Sequence, residues 1–141
     1  MERYWQIYLH LVWGTQERSH LLRGSFQRHV HRAIRARCRQ RQLVAVSVNS
    51  AWNHIHTLVS WNPELSPDQV VNDLKEHTVD VWEAARRGHS RVPPLQWQEG
   101  YGGFSVYPGA VPRVKKYIFH QKRLHRTDST IDHFETWATV D

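Results

Sequence analysis

The chain has 141 residues, with 19 Lys and Arg against 13 Asp and Glu, a net charge of +6 and a pI near 9.9. That length suits a single domain over 1–141, and 7 Trp, 5 Tyr and 4 Phe can fill one core although the hydrophobic share is only 40%. No apolar run nears the roughly 20 residues that cross a bilayer, no signal-peptide pattern opens the chain, and the lone Cys38 can form no internal disulfide. A protein of the reducing cytoplasm with no membrane partner is the expectation.

Residues 4 to 13, rich in Val, Ile, Trp and Tyr, read as a first strand. From Ser25 to Arg41, Phe26, Val30, Ala33, Ile34 and Cys38 recur at helical spacing and predict a core-facing stripe. Arg28, Arg32, Arg35 and Arg39 form a second stripe on another side of that helix. No carboxylate stands between Glu17 and Glu64, while eight arginines fall in that gap. Such a one-sided block attracts polyanions, phosphates above all, so the stripe is a candidate nucleic-acid contact.

Leu43 to Val48 alternates as a second strand, a polar turn covers Asn49 to Asn53, and His54 to Trp61 returns as a third. Ser66, Pro67 and Gln69 have the pattern of a capping box opening a helix. Val70, Leu74, Thr78, Val81 and Ala85 carry its buried stripe, and Gly88 ends it. A Pro-rich loop through Pro93 and Pro94 leads to a fourth strand over 96–107, interrupted by Gly100, Gly102 and Gly103. A helix from Pro112 to about Arg126 and a short helical segment over 131–137 complete the chain. The order βαββαβ plus a C-terminal helix predicts an α+β, ferredoxin-like fold, a four-stranded antiparallel sheet with two helices on one face.

Among 11 histidines, two pairs have the form His-x-His. His29 and His31 lie in a helix, where residues two apart diverge. His54 and His56 lie in a strand, where residues two apart face the same way and present two imidazoles together. Ile55 then faces the core, with Leu58 in support. Two imidazoles leave a divalent ion short of donors, so a third ligand is required. In the last helix Tyr117 and Gln121 are four apart and share a face, anchored by Val114 and Ile118. Lys115, Lys116, Lys122 and Arg123 surround them, the first two as candidate nucleic-acid contacts.

A strand bearing HIH and a helix bearing Tyr-x-x-x-Gln, on a small basic βαββαβ chain, resemble the TnpA-type single-tyrosine HUH transposases of IS200-like insertion sequences. YLHLVWGTQER, NHIHTLVSW, LKEHT and WQEGYGGFSV resemble that family in the same order, over nearly the whole chain. The resemblance implies that His54, His56 and Gln121 hold Mg²⁺ or Mn²⁺ and that Tyr117 is the nucleophile. It also implies single-stranded DNA as partner, with hairpin-forming element ends, no small-molecule substrate, a 5′-phosphotyrosine intermediate, and a homodimer. The chain departs from the family pattern at His120, where many relatives have Asn, and in the segment KRLHR.

Two alternatives stand beside this reading. The first is a domesticated or repeat-associated nuclease of the same chemistry. The second is a non-catalytic RNA-binding module, suggested by the glycine- and aromatic-rich stretch 100–107, in which Tyr101 or Phe104 would stack on a base. Lys75 and His77 are further candidates for DNA contact, and Trp52, Trp61 and Trp82 are expected in the core.

Overall fold

A computed structural model describes residues 2–89 and 91–137. In chain order these form β1 (Tyr8–Gly14), α1 (Gly24–Gln40), β2 (Val44–Ser50), β3 (His54–Ser60), α2 (Pro67–Arg86), β4 (Gly102–Val106), α3 (Val111–Phe119) and α4 (Gln121–Arg126), then a 3-10 turn at Asp132–Glu135. The strands make one antiparallel sheet in the order β2-β3-β1-β4. This is the ferredoxin-like α+β arrangement that the order of elements predicts.

The alternation of each strand sorts its side chains between two layers. Leu11 and Trp13 of β1 and Ile55 and Val59 of β3 face α1 and α2, where Val30, Ile34, Cys38, Val71, Leu74 and Trp82 complete the main core. On the other face Leu58 and Val106 pack against Ala110, Val114 and Ile118, so α3 covers the opposite side of the sheet. Leu58 therefore does not support Ile55. Its even register places it beside the histidines. Trp82 is 1% exposed and donates its indole N–H to Pro93 O at 2.8 Å, tying α2 to the Pro-rich loop. Its truncation to Ala would cost about 3–5 kcal/mol.

Several boundaries differ from the sequence expectation, each for a local reason. β1 begins at Tyr8 rather than at residue 4, because pairing with β3 and β4 begins there. β2 runs on to Ser50 and absorbs two residues of the expected turn. Ser66 opens α2 through its carbonyl, which accepts from Val70 N at 3.1 Å, but its hydroxyl makes no cap, so no capping box forms. The buried stripe of α2 contains Trp82, while Val81 and Ala85 are only half-buried. Gly88, at φ +80°, makes the left-handed exit that its position predicts.

The expected strand 96–107 is reduced to a bridge between Thr15 and Trp97 and the five residues of β4. Lys75 explains the gap. Its ammonium donates to Gln98 O at 2.9 Å and Gly100 O at 2.7 Å, which draws this stretch toward α2. The expected helix 112–126 is also divided, at His120 (φ −96°, ψ 21°). Asn49 of β2 donates to both Ile118 O (3.0 Å) and Phe119 O (2.9 Å), taking up carbonyls that a continuous helix would have satisfied itself.

Candidate active site

The site is built on the face of the sheet that α3 covers. His54 is 2% exposed and His56 fully buried, side by side on β3 as strand alternation requires, with ring centroids 5.0 Å apart. Each ring is oriented by a partner behind it. Asn53 Oδ1 lies 2.7 Å from His54 Nδ1, and His10 Nε2 of β1 lies 2.8 Å from His56 Nδ1. Both Nε2 atoms are thereby directed into a common space, as outer partners orient imidazole ligands in metal sites.

Four further side chains, Glu135, His125, Gln121 and Tyr117, enter that space. Glu135 Oε2 lies 2.6 Å from His54 Nε2, 3.2 Å from His56 Nε2 and 3.4 Å from His125 Nε2. Gln121, fully buried at the start of α4, places Oε1 3.2 Å from His125 Nε2. Tyr117, 8% exposed near the end of α3, donates its hydroxyl to Glu135 Oε1 at 2.5 Å and accepts from Ile131 N at 3.0 Å. Its ring meets that of His56 edge-on at 5.9 Å between centroids.

Two glycines let the C-terminal segment lie this close to the sheet. A Cβ on Gly14 would come within 2.5 Å of the Trp137 indole, and one on Gly102 would collide with the Thr136 carbonyl. Trp137 stacks on His54 at 4.7 Å and donates to Gln98 Oε1 at 2.9 Å, while Phe134 packs edge-on against Tyr117 and His10. These contacts carry Glu135 to the histidines.

Burial keeps the imidazoles neutral. It lowers His54 to about 4 despite the Glu135 carboxylate, and together with His56 it lowers His10 to about 3. His56 is lowered by burial as well. Glu135 instead stays charged: burial opposes its ionisation, but the His125, His54 and His56 rings close around it hold its carboxyl well below the usual range. Burial and then the bond to Glu135 push the Tyr117 phenol upward, and the Ile131 N–H offsets this only in part.

These features fit a divalent cation. His54, His56, His125 and Glu135 each offer one donor atom, all within 4.8 Å of one another. His54 Nε2 is buried with no aligned hydrogen bond although Glu135 Oε2 is 2.6 Å away, as when two donors face a shared centre rather than each other. Neutral imidazoles and an ionised carboxylate are the protonation states that bind metal.

The structure thus brings His54, His56, Tyr117 and Gln121 together within one chain. It does not bring in the arginine stripe. Arg28, Arg32, Arg35 and Arg39 are exposed on α1, which packs on the opposite face of the sheet. Of these only Arg35 reaches round, lining an open cleft with Lys115, Lys116, Asn49 and Phe119. Lys75 is committed to the loop carbonyls. The stacking residues of an RNA-binding module are also engaged, since Tyr101 donates to Asp68 and Phe104 lies against His10, His133 and Phe134. Trp61 and Trp82 are core residues, whereas Trp52 is half-buried beside His20 and Lys122.

His125, Glu135 and His10 were not singled out from the sequence. His125 carried a signal, because Tyr117, Gln121 and His125 repeat every four residues. Glu135 carried none, since its approach depends on the path of the chain after α4.

Residues 3–121 match the family described as "Transposase IS200 like". Among solved structures, one from Deinococcus radiodurans R1 assigned as a transposase superposes with TM-score 0.68 at 18% identity, covering 86% of this chain and 95% of that one. A REP-associated tyrosine transposase bound to a REP hairpin gives TM-score 0.59 at 13% identity, covering 92% of this chain and 74% of that one. No curated protein sequence matches the chain. With the family matched over most of its length, the chain belongs to the IS200-like transposases.

Proposed function

We propose that this transposase binds single-stranded DNA at element ends and cleaves and rejoins it through Tyr117, with His54, His56 and Gln121 at a divalent ion. The observation that carries the reading is one shared carboxylate. Glu135 touches the Tyr117 hydroxyl with one oxygen and His54 Nε2 with the other, which puts the nucleophile and the imidazole donors within one side chain's span.

In the forward step the Tyr117 oxygen attacks phosphorus, the bond from phosphorus to the 3′ oxygen breaks, and a 5′-phosphotyrosine remains. Glu135 Oε1 accepts the phenol hydrogen bond and so orients the hydroxyl; the phenol proton passes to solvent as the bond to phosphorus forms, and the departing 3′ oxygen takes one from solvent. A second strand's 3′-hydroxyl reverses the sequence, so the phosphodiester is exchanged without an external energy source. The cation, Mg²⁺ or Mn²⁺ by the family resemblance, supplies charge stabilisation at the phosphate when bound. Arg35, Lys115 and Lys116 line one open cleft beside α3, which supports a role for them in holding the DNA backbone. The likeness to a hairpin-bound relative favours folded single strands as substrate, and it equally suits a nuclease acting at genomic repeats. The family resemblance implies a homodimer, and within one chain Tyr117 already stands beside the imidazoles through Glu135.

The test incubates wild type and Tyr117→Phe with end-labelled single-stranded DNA, in Mg²⁺, Mn²⁺ or chelator. A covalent adduct formed only by wild type and only with metal supports the reading. Equal adduct in Tyr117→Phe would remove Tyr117 from the role of nucleophile.

A further inference from the structure

The donor set in this chain differs in kind from two histidines and an amide. Besides those groups, the space holds a third imidazole, His125, and a carboxylate, Glu135. A metal bound by nitrogen and oxygen at about 2.0–2.2 Å in tetrahedral geometry keeps its donors roughly 3.3–3.5 Å apart. His56 Nε2 and His125 Nε2 stand 3.2 and 3.4 Å from Glu135 Oε2, close to that spacing, and only His54, at 2.6 Å, is nearer. Two of the three separations from Glu135 Oε2 thus fall near that of a tetrahedral shell, and all four donor atoms lie within 4.8 Å of one another.

The rings are also set to use the correct nitrogen. Asn53 Oδ1 accepts from the Nδ1–H of His54, which leaves the Nε2 lone pair facing the cluster. When His56 Nδ1 donates to His10 Nε2, the lone pair of His56 Nε2 faces the same way. His125 Nε2 points toward both Glu135 and Gln121. Three imidazoles and one carboxylate suit a borderline transition-metal ion such as Zn²⁺ or Co²⁺. Mg²⁺ prefers six oxygens and retains several waters, which three rings in a buried site cannot provide.

We propose that His125 and Glu135 join His54 and His56 in a four-donor shell that makes this site selective for a transition-metal ion of the Zn²⁺ class over Mg²⁺. The inference rests on the His54–His56 pair of the preceding reading and puts His125 and Glu135 in place of Gln121 as donors; it does not rest on the DNA chemistry, because the ion is held by side chains before any DNA enters. His125 is the decisive residue. Without it the site reverts to two imidazoles and oxygen donors, a set that tolerates Mg²⁺ and Mn²⁺.

Zn²⁺ outcompetes Mg²⁺ at many nitrogen sites, so the test lies in how the preference changes between variants. Full-length protein stripped with chelator is titrated with Zn²⁺, Mn²⁺ and Mg²⁺ in competition with a chromophoric chelator, as wild type, His125→Gln and Glu135→Gln. Circular dichroism of the stripped proteins controls for folding. The wild type is expected to favour Zn²⁺ over Mg²⁺, and that ratio should fall by about tenfold or more in His125→Gln while Mg²⁺ affinity changes little. Co²⁺-loaded wild type should show the intense ligand-field absorption of tetrahedral cobalt, and His125→Gln should lose it. An unchanged ratio in both variants, or an octahedral Co²⁺ spectrum in the wild type, would overturn the proposal. Adduct formation is not read in this experiment, so a failure here and a failure of Tyr117 as nucleophile are separate results.

Discussion

The Tyr117 hydroxyl donates to Glu135 Oε1 at 2.5 Å, although the two residues stand 18 apart in sequence and on different elements. The nucleophile of the proposed reaction is therefore held in its protonated form by burial and by a carboxylate that also touches His54, His56 and His125. The site is one connected network, and each substitution within it should be felt by the others.

Replacing Glu135 tests that connection. In Glu135→Gln the charge that helps raise the phenol is removed, so the Tyr117 pKa should fall toward its ordinary value of about 10. Ultraviolet titration of tyrosinate in stripped protein, taken as the difference between Glu135→Gln and Glu135→Gln/Tyr117→Phe, reads this one residue. A phenol that titrates as high as in wild type would show that burial alone sets it.

Gly14 and Gly102 should be intolerant of any side chain for a reason outside their own strand. In Gly14→Ala the new methyl would meet the Trp137 indole, and in Gly102→Ala it would meet the Thr136 carbonyl. Each variant should release the segment that carries Glu135 while leaving the main core intact. Limited proteolysis with trypsin should then cut faster at Arg126, and the fluorescence of Trp137 should shift toward that of a solvated indole. Unchanged cleavage in both variants would mean that the strand adjusts instead.

Acid should destabilise the metal-free protein before its carboxylates titrate. His10 is lowered to about 3 by burial and His56, and His31 to about 4 by burial, Lys122 and Arg35. His54 is lowered to about 4 by burial against Glu135. In the unfolded chain all three bind protons near pH 6.5, so between pH 6.5 and 4 the unfolded state holds more protons and stability rises with pH. Each group then contributes a loss of about 1.4 kcal/mol per pH unit as pH falls through that window. The Tm measured in chelator should drop steeply from pH 6.5 to 4. A flat profile would mean that these rings are protonated in the native state.

DNA affinity should separate the two basic regions. Lys115 and Lys116 lie in the cleft beside α3, whereas Arg28, Arg32 and Arg39 project from α1 across the sheet. Lys115→Ala and Lys116→Ala should each weaken single-strand binding and lower the salt slope by roughly 0.7. Arg28→Ala and Arg32→Ala should do so less if the strand follows the α3 side. A larger loss from the α1 variants would place the backbone on the other face.

The strands and helices were legible in the sequence where period and composition agreed, as in α1 and in the β2–β3 hairpin. The pairing of His54 with His56 followed from strand alternation alone. The division of the last helix was not legible, because its cause is Asn49, a residue about 70 positions away whose amide takes the α3 carbonyls. The fourth strand was overread for a similar reason, since Lys75 pulls residues 98–100 off the sheet line. Of the site, the two histidines came from geometry and Tyr117 with Gln121 came through resemblance. Glu135 was hidden, because only tertiary packing against two glycines brings it to the cluster.

The central claim is that Tyr117 carries the DNA, and its most direct measurement is the identity of the linked residue and the linked strand end. Wild type is incubated with metal and single-stranded DNA labelled in turn at the 5′ and the 3′ end, and the denatured adduct is digested and sequenced by mass spectrometry. The account predicts that the label stays with the protein only when it is on the 3′ side of the break, with the phosphate on Tyr117. A phosphate on another residue, or retention of the 5′-side fragment, would contradict it.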